Sequence, residues 1–197
     1  LERARLIAEN RRYQASLENL VQARTAELDH RLATERMVAD ISADLARAAP
    51  DEIAPSIQRA VQRMGELTQV DRCYVVVFSP DKQELGAVYA WNAPGVEARF
   101  HRHHGLQSDM MPWAMGELEQ FKAVHAPDLD ALPPEARAEK AVWEGAGVKS
   151  LLAVPLVDAG ALGGFMGFSL NRARRAWDQE DINMLRLVGQ VVGSVLA

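Results

Sequence analysis

The chain is poor in cysteine: Cys73 is the only one among 197 residues. A single thiol excludes an internal disulfide and a thiolate metal cluster, and it suits a reducing cytoplasm. Long apolar runs are missing too. The longest, "LLAVPLV" (151–157) and "ALGGFMGF" (161–168), fall far short of the roughly 18–20 residues that a membrane helix needs. There is no excess of positive charge. The 22 Lys and Arg stand against 27 Asp and Glu, a net charge of −5, which argues against the cationic grip that sequence-independent nucleic-acid binding requires. No charged-then-apolar leader opens the chain, so no secretory signal is expected, and the absence of an initiator Met before Leu1 suggests a piece of a longer protein. Glycine and proline are absent from residues 1–49.

What is present reads as one ordinary globular domain with an appendage, at 48% hydrophobic and 25% charged residues. In the region without Gly or Pro, Leu6, Tyr13, Leu17, Leu20, Leu28, Leu32, Val38, Ile41 and Leu45 recur at spacings of three, four and seven. This predicts one long amphipathic helix. Its apolar stripe is narrow and flanked by charge, including Glu27 and Arg31 at i,i+4, which suits a two-stranded coiled coil. The eight residues from Leu20 to Leu28 are a stutter, so no single register is assigned. The alternative is a solvated helix docked on its own domain.

A second helix starts at Pro50 and Asp51, with Ile53, Ile57, Val61, Met64 and Leu67 on one face. "CYVVVFS" (73–79), the turn "PDKQ" and the alternating "LGAVYAWN" (85–92) predict a strand hairpin. A third extended piece is expected at "EARFHRHHG" (97–105). Then come a short helix at 111–121, a short strand at 123–128 and a helix at 133–147 that begins with Pro and ends with Gly. Residues 148–171 predict a second hairpin, turning at "DAG". Asp178 is the expected N-cap of the last helix. Ile182, Leu185, Val188, Val192 and Val195 form one apolar row on it, and Met184, Leu187, Val191 and Leu196 a second. Two rows imply two partners, the sheet and the same helix of a second chain. Helices gathered at the two ends of an antiparallel sheet define an α+β architecture.

The C-terminal third resembles the GAF family of sensory domains. The likeness rests on the Ser-Leu-x-x-Val-Pro-Leu strand from Ser150 to Leu156, the return strand with Gly163, Gly164 and Gly167, and the step Trp177, Glu180 and Asp181 into the last helix. "VHAPDLDALP" before the middle helix fits as well. Upstream, "ARTAEL" (23–28) is similar to linker helices of bacterial sensor kinases and diguanylate cyclases. The resemblance implies a signalling helix over residues 1–34 and a GAF domain over 35–197. The fold it implies has five or six antiparallel strands, helices on one face, and a helical excursion roofing a ligand cavity on the other. The three glycines read either as close approach of a backbone or ligand, or as a bulge beside a tight turn.

Known activities of the family test poorly against these residues. The Asn-Lys and Phe-Asp-Glu signature of its cyclic-nucleotide binders is missing. Cys73 opens a strand and reads as a small core residue, not a chromophore attachment point. One cysteine cannot run the relay of a methionine sulfoxide reductase. His101 and His103 share a strand face while His104 points away, so at most two of this cluster converge where zinc wants three or four ligands. His125 and Asp128 are further candidates, but nothing in their spacing demands a metal site. No catalytic or metal residues are therefore assigned, and the cofactor is unknown. If the fold is right, Tyr89, Trp91, Phe100, Trp113 and Trp143 face one cavity and are the candidate ligand-binding residues; each also reads as core. The expected function is a non-catalytic regulatory module in the cytoplasm. It forms a homodimer through its N- and C-terminal helices, takes a small-molecule ligand, makes no nucleic-acid or membrane contact, and controls an output domain in the same parent chain. The alternatives are a metal- or haem-dependent redox or gas sensor and a ligand-free dimerisation spacer.

Overall fold

The computed structural model describes residues 2–79, 85–97 and 111–196. The chain forms two compact units, Leu1–Met37 and Val38–Ala197. Helix α1 (Glu2–Arg47) runs through the first and into the second. The first unit is helix alone, and Tyr13, Leu17, Leu20, Val21, Leu28 and Leu32 lie exposed on it.

In the second unit, Ile41 and Leu45 of α1 are buried. Arg63 of α2 (Ile53–Thr68) reaches back to Asp40 at 2.9 Å and Asp44 at 3.3 Å. The α2 pattern buries Ile57, Val61 and Met64 as expected, while Ile53 and Leu67 are only half-buried. Strands β1 (Arg72–Phe78) and β2 (Leu85–Asn92) form the first hairpin. The excursion follows with α3 (Pro112–Glu119), β3 (Val124–Ala126) and α4 (Arg137–Gly145). Strands β4 (Ser150–Asp158) and β5 (Ala161–Leu170) form the second hairpin, and α5 (Gln179–Leu196) closes the chain. The "DAG" turn places Ala159 and Gly160 at positive φ, 45° and 80°.

The fold is α+β: among the described residues, one sheet of five strands in the order β2-β1-β5-β4-β3, with every pairing antiparallel. The turn "PDKQ" and most of the extended piece at 97–105 lie outside the described residues. Helices α2 and α5 pack on one face of the sheet, and α3 sits on the other.

Helix α5 begins in a reciprocal cap. The Asp181 amide donates to Asp178 Oδ1 at 2.9 Å, and the Asp178 amide donates to Asp181 Oδ2 at 3.2 Å. Asp181 also takes Arg175 at 2.7 Å, and Arg175 lies 4.9 Å over the ring of buried Trp177. This explains the Trp-x-x-Glu-Asp step physically: an aromatic plug, a cation and a cap fix where the helix starts. The two expected rows on α5 are redistributed. Met184, Leu185, Val188 and Val192 are buried together along the i, i+3/i+4 stripe, whereas Ile182 and Val195 are half-buried and Leu187 is exposed.

Candidate functional site

The register of the sheet sets the site. Ala90 pairs with Tyr74, Tyr74 with Gly167, Gly167 with Ala153, and Ala153 with Val124. Directly paired residues in antiparallel strands point the same way. One row therefore crosses all five strands, and four of its five side chains are small. Tyr74 lies over Gly167, its hydroxyl 2.8 Å from where a Cβ would stand, so only glycine fits beneath the ring.

Above this floor stand Met111, Met115 and Leu118 on or beside α3, and Trp143 of α4. With Ala114, Leu151 and Phe165 they enclose an apolar chamber of about 30 Å³. Phe165 meets Tyr74 edge-on at 6.1 Å and Phe78 at 5.8 Å, fixing the wall. Burial pushes the Tyr74 phenol well above its ordinary pKa, so the ring enters the chamber uncharged. The roof is held by a carboxylate. Glu139 of α4 is buried, and its Oε1 accepts the Trp113 amide at 2.6 Å and the Ala114 amide at 3.2 Å, two of the unsatisfied donors in the first turn of α3. Its Oε2 has no hydrogen-bond partner among the described residues.

At the rim, Asp71 Oδ2 accepts the amides of Asn171 and Arg172 at 2.7 and 2.9 Å. Arg172 donates to the Pro94 carbonyl and Arg72 to that of Glu97, each at 2.6 Å. These bonds tie down the segment that leaves β2. On the outside, Arg174 spans Asp128 at 2.9 Å and Asp130 at 2.7 Å, and Lys140 joins Asp130 at 2.8 Å.

The five aromatic candidates do not share one cavity. Trp143 lines the chamber and Trp113 packs beside its core. Tyr89 pairs with Val75 and Trp91 with Cys73, which puts both on the opposite face, and the Trp91 ring fills the space that a Cβ on Gly65 of α2 would take. The expectation correctly opposed Tyr89 and Trp91 to Val88 and Ala90, but it is Ala90 that shares the face of the chamber. Phe100 lies outside the described residues, as do His101, His103 and His104. His125 Nε2 stands 3.2 Å from the Trp177 carbonyl, an acceptor, so that nitrogen carries the proton. Cys73 is fully buried on the α2 face, its thiol pushed up by burial, away from the chamber.

The glycines of β5 divide their roles. Gly163 is the extra residue where the register slips between Leu156 and Val157. Gly164 leaves room for the Val76 carbonyl and Gly167 for Tyr74. Sequence reading missed Tyr74, the methionines of the roof, Ala153 and Glu139. The available signal was the run of small residues at matching strand positions.

Residues 52–196 match the family profile of the GAF domain. No curated protein matches the chain. Solved structures of similar fold include a phycocyanobilin-bound GAF domain from a cyanobacterial phytochrome, 17% identical at a TM-score of 0.69, covering 83% of this chain and 93% of that one. The chromophore-binding domain of Stigmatella aurantiaca phytochrome P1 is 19% identical at 0.66, with 84% of this chain and 60% of that one covered. Residues 122 to 287 of a methyl-accepting chemotaxis protein are 16% identical at 0.61, with 79% and 94% covered. At such identities the likeness is one of fold. The profile, by contrast, spans most of the sequence, and the chain belongs to the GAF domain family.

Proposed function

We propose that this GAF domain is the non-catalytic sensory module of a cytoplasmic signalling protein of the bacterial sensor-kinase or diguanylate-cyclase type. In this reading a small, largely apolar molecule occupies the chamber, and a homodimer joined through the first and last helices passes the effect to an output domain in the parent chain. The observation that carries it is the row of small residues across the sheet, roofed by methionines and Trp143. A floor of small side chains under a flexible roof is how a core keeps space for a guest. A void of about 30 Å³ holds little more than a water, so a guest enters by moving α3 and α4.

Coupling then needs only a guest that binds one arrangement of the helices better than another. Structural relatives solved with a bound bilin give a precedent for a guest in this fold. Cys73 is turned to the opposite face, so a guest here is held without a bond to that thiol. Native mass spectrometry of the protein as purified tests the reading. A dimer carrying extra mass that is lost in Ala153→Phe supports it. Bare protein whose melting does not respond to a panel of small aromatic and aliphatic molecules sinks it, leaving a spacer with a filled core.

A further inference from the structure

The helical unit before Met37 has no core of its own. Tyr13, Leu17, Leu20, Val21, Leu28 and Leu32 are between 47% and 65% exposed. Written in elevens, the segment aligns Leu6, Leu17 and Leu28 in one column, Asn10, Val21 and Leu32 in a second, and Tyr13, Arg24 and Glu35 in a third. Glu9, Leu20 and Arg31 form a fourth, and seven of these twelve positions are apolar. The heptad frame through Leu6, Tyr13, Leu17 and Leu20 instead runs on into Glu27 and leaves Val21, Leu28 and Leu32 outside it. Eleven residues make three turns at about 3.67 per turn, close to the helix's own 3.6, so an eleven-residue stripe stays nearly parallel to the axis. The eight-residue step from Leu20 to Leu28 that breaks a heptad is regular here, because Leu20 and Val21 share a layer.

We infer that residues 6–35 pair with the same residues of a second copy, parallel and in register, as a straight or slightly right-handed coiled coil built on this repeat. The inference rests on the dimeric reading above and specifies its seam. Area argues for a second copy as the occupant. Six such side chains offer roughly 60–120 Å² each by the usual transfer scale, and with the stems of their flanking residues they approach the ~800 Å² per partner of a stable interface. The charges in and beside the stripe are paired along their own helix: Arg24 with Glu27 at 2.7 Å and Arg31 with Glu35 at 3.0 Å. Direction follows from matching. A fully overlapped antiparallel pair of residues 6–35 sets Leu17 against Arg24, Leu32 against Glu9 and Leu6 against Glu35, whereas the parallel pair sets every apolar residue against its own kind.

Cysteines introduced singly into the whole chain test this by oxidative cross-linking. Native Cys73 stays silent because it is buried. Leu17→Cys, Leu28→Cys and Leu32→Cys are expected to cross-link readily, and Glu27→Cys at least about tenfold more slowly, because it lies off the seam. A Glu27→Cys rate equal to or above that of Leu28→Cys would overturn the proposal, and a faster one is what the heptad requires. Sedimentation separates the two readings: a dimer that cross-links at none of these positions removes the seam but keeps the dimer, while a monomer at micromolar concentration removes both. As a second route, the pair Leu17→Lys and Leu28→Lys should weaken the dimer at least about 100-fold. Both positions are exposed within the protomer, so its circular dichroism should be unchanged.

Discussion

Two neighbouring rows cross the sheet one residue apart. One runs Trp91, Cys73, Phe168, Leu152 and His125, and the other Ala90, Tyr74, Gly167, Ala153 and Val124. The first meets α2 and the approach to α5 with large side chains, and Cys73, Leu152 and Phe168 are 0% exposed. The second meets the excursion with small ones, and the residues around its chamber keep a little access, 6% at Tyr74 and Phe165 and 7% at Met115. Because strand side chains alternate, the same five strands carry a solid core on one side and a hollow on the other. Stability and sensing can therefore change independently, residue by residue, along a single strand.

The sharpest way to break this contrast is to hollow the solid face. Phe168→Ala removes a fully buried ring that packs 6.1 Å from Trp177, and a loss of about 3–5 kcal/mol in urea unfolding is expected. A loss under about 1 kcal/mol would mean that the α2 face repacks as readily as the chamber. Next in size is the roof. Glu139→Ala strands the Trp113 and Ala114 amides and should cost about 1–3 kcal/mol. Glu139→Gln keeps the acceptor, and it should recover most of that loss and restore amide protection at Trp113 in hydrogen exchange. Equal losses in the two variants would show that the carboxylate's charge, not its acceptor oxygen, holds α3.

The strand hairpins, the long first helix and the cap at Asp178 were legible because each depends on local chemistry: alternation, the lack of Gly and Pro, and an acidic first turn. The site was legible only in part. Trp143 was found as a large aromatic on an excursion helix, but Tyr89 and Trp91 were sent to the wrong face. Alternation tells which residues lie together and not which helices their side of the sheet meets. That choice is made by Gly65, whose missing side chain admits the Trp91 ring against α2, a contact between residues far apart in sequence. Glu139 was invisible for the same reason, since nothing in "RAEKAVWEG" marks the carboxylate that caps another helix.

A smaller change sharpens the contrast from the chamber side. Ala153→Val adds two methyl groups over the row that leads to the void, and it should alter stability by less than about 1 kcal/mol where overpacking of a solid core costs about 1–3. The same variant should abolish any melting shift produced by a chamber guest. A loss above that limit would mean that the floor is as tightly filled as the Phe168 row.

The smallest effect is expected one residue beyond Glu139, where α4 turns outward. Lys140 hydrogen-bonds Asp130 and holds its carboxyl below its ordinary pKa of 3.8, and Asp130 in turn raises the Lys140 ammonium. A depressed carboxyl binds its proton less readily in the folded chain than in the unfolded one. Its contribution is therefore present above the ordinary value and is lost as the pH falls through the folded one. The raised ammonium works in the other direction, with its contribution full below its ordinary pKa and lost as alkali titrates it. Lys140→Met should thus flatten the acid limb of the stability curve slightly below about pH 4, with the difference vanishing in about 1 M salt, because the pair is exposed and screened. A difference that survives the salt would mean that the pair is sheltered, and that the outer surface of α4 is covered as its inner surface is.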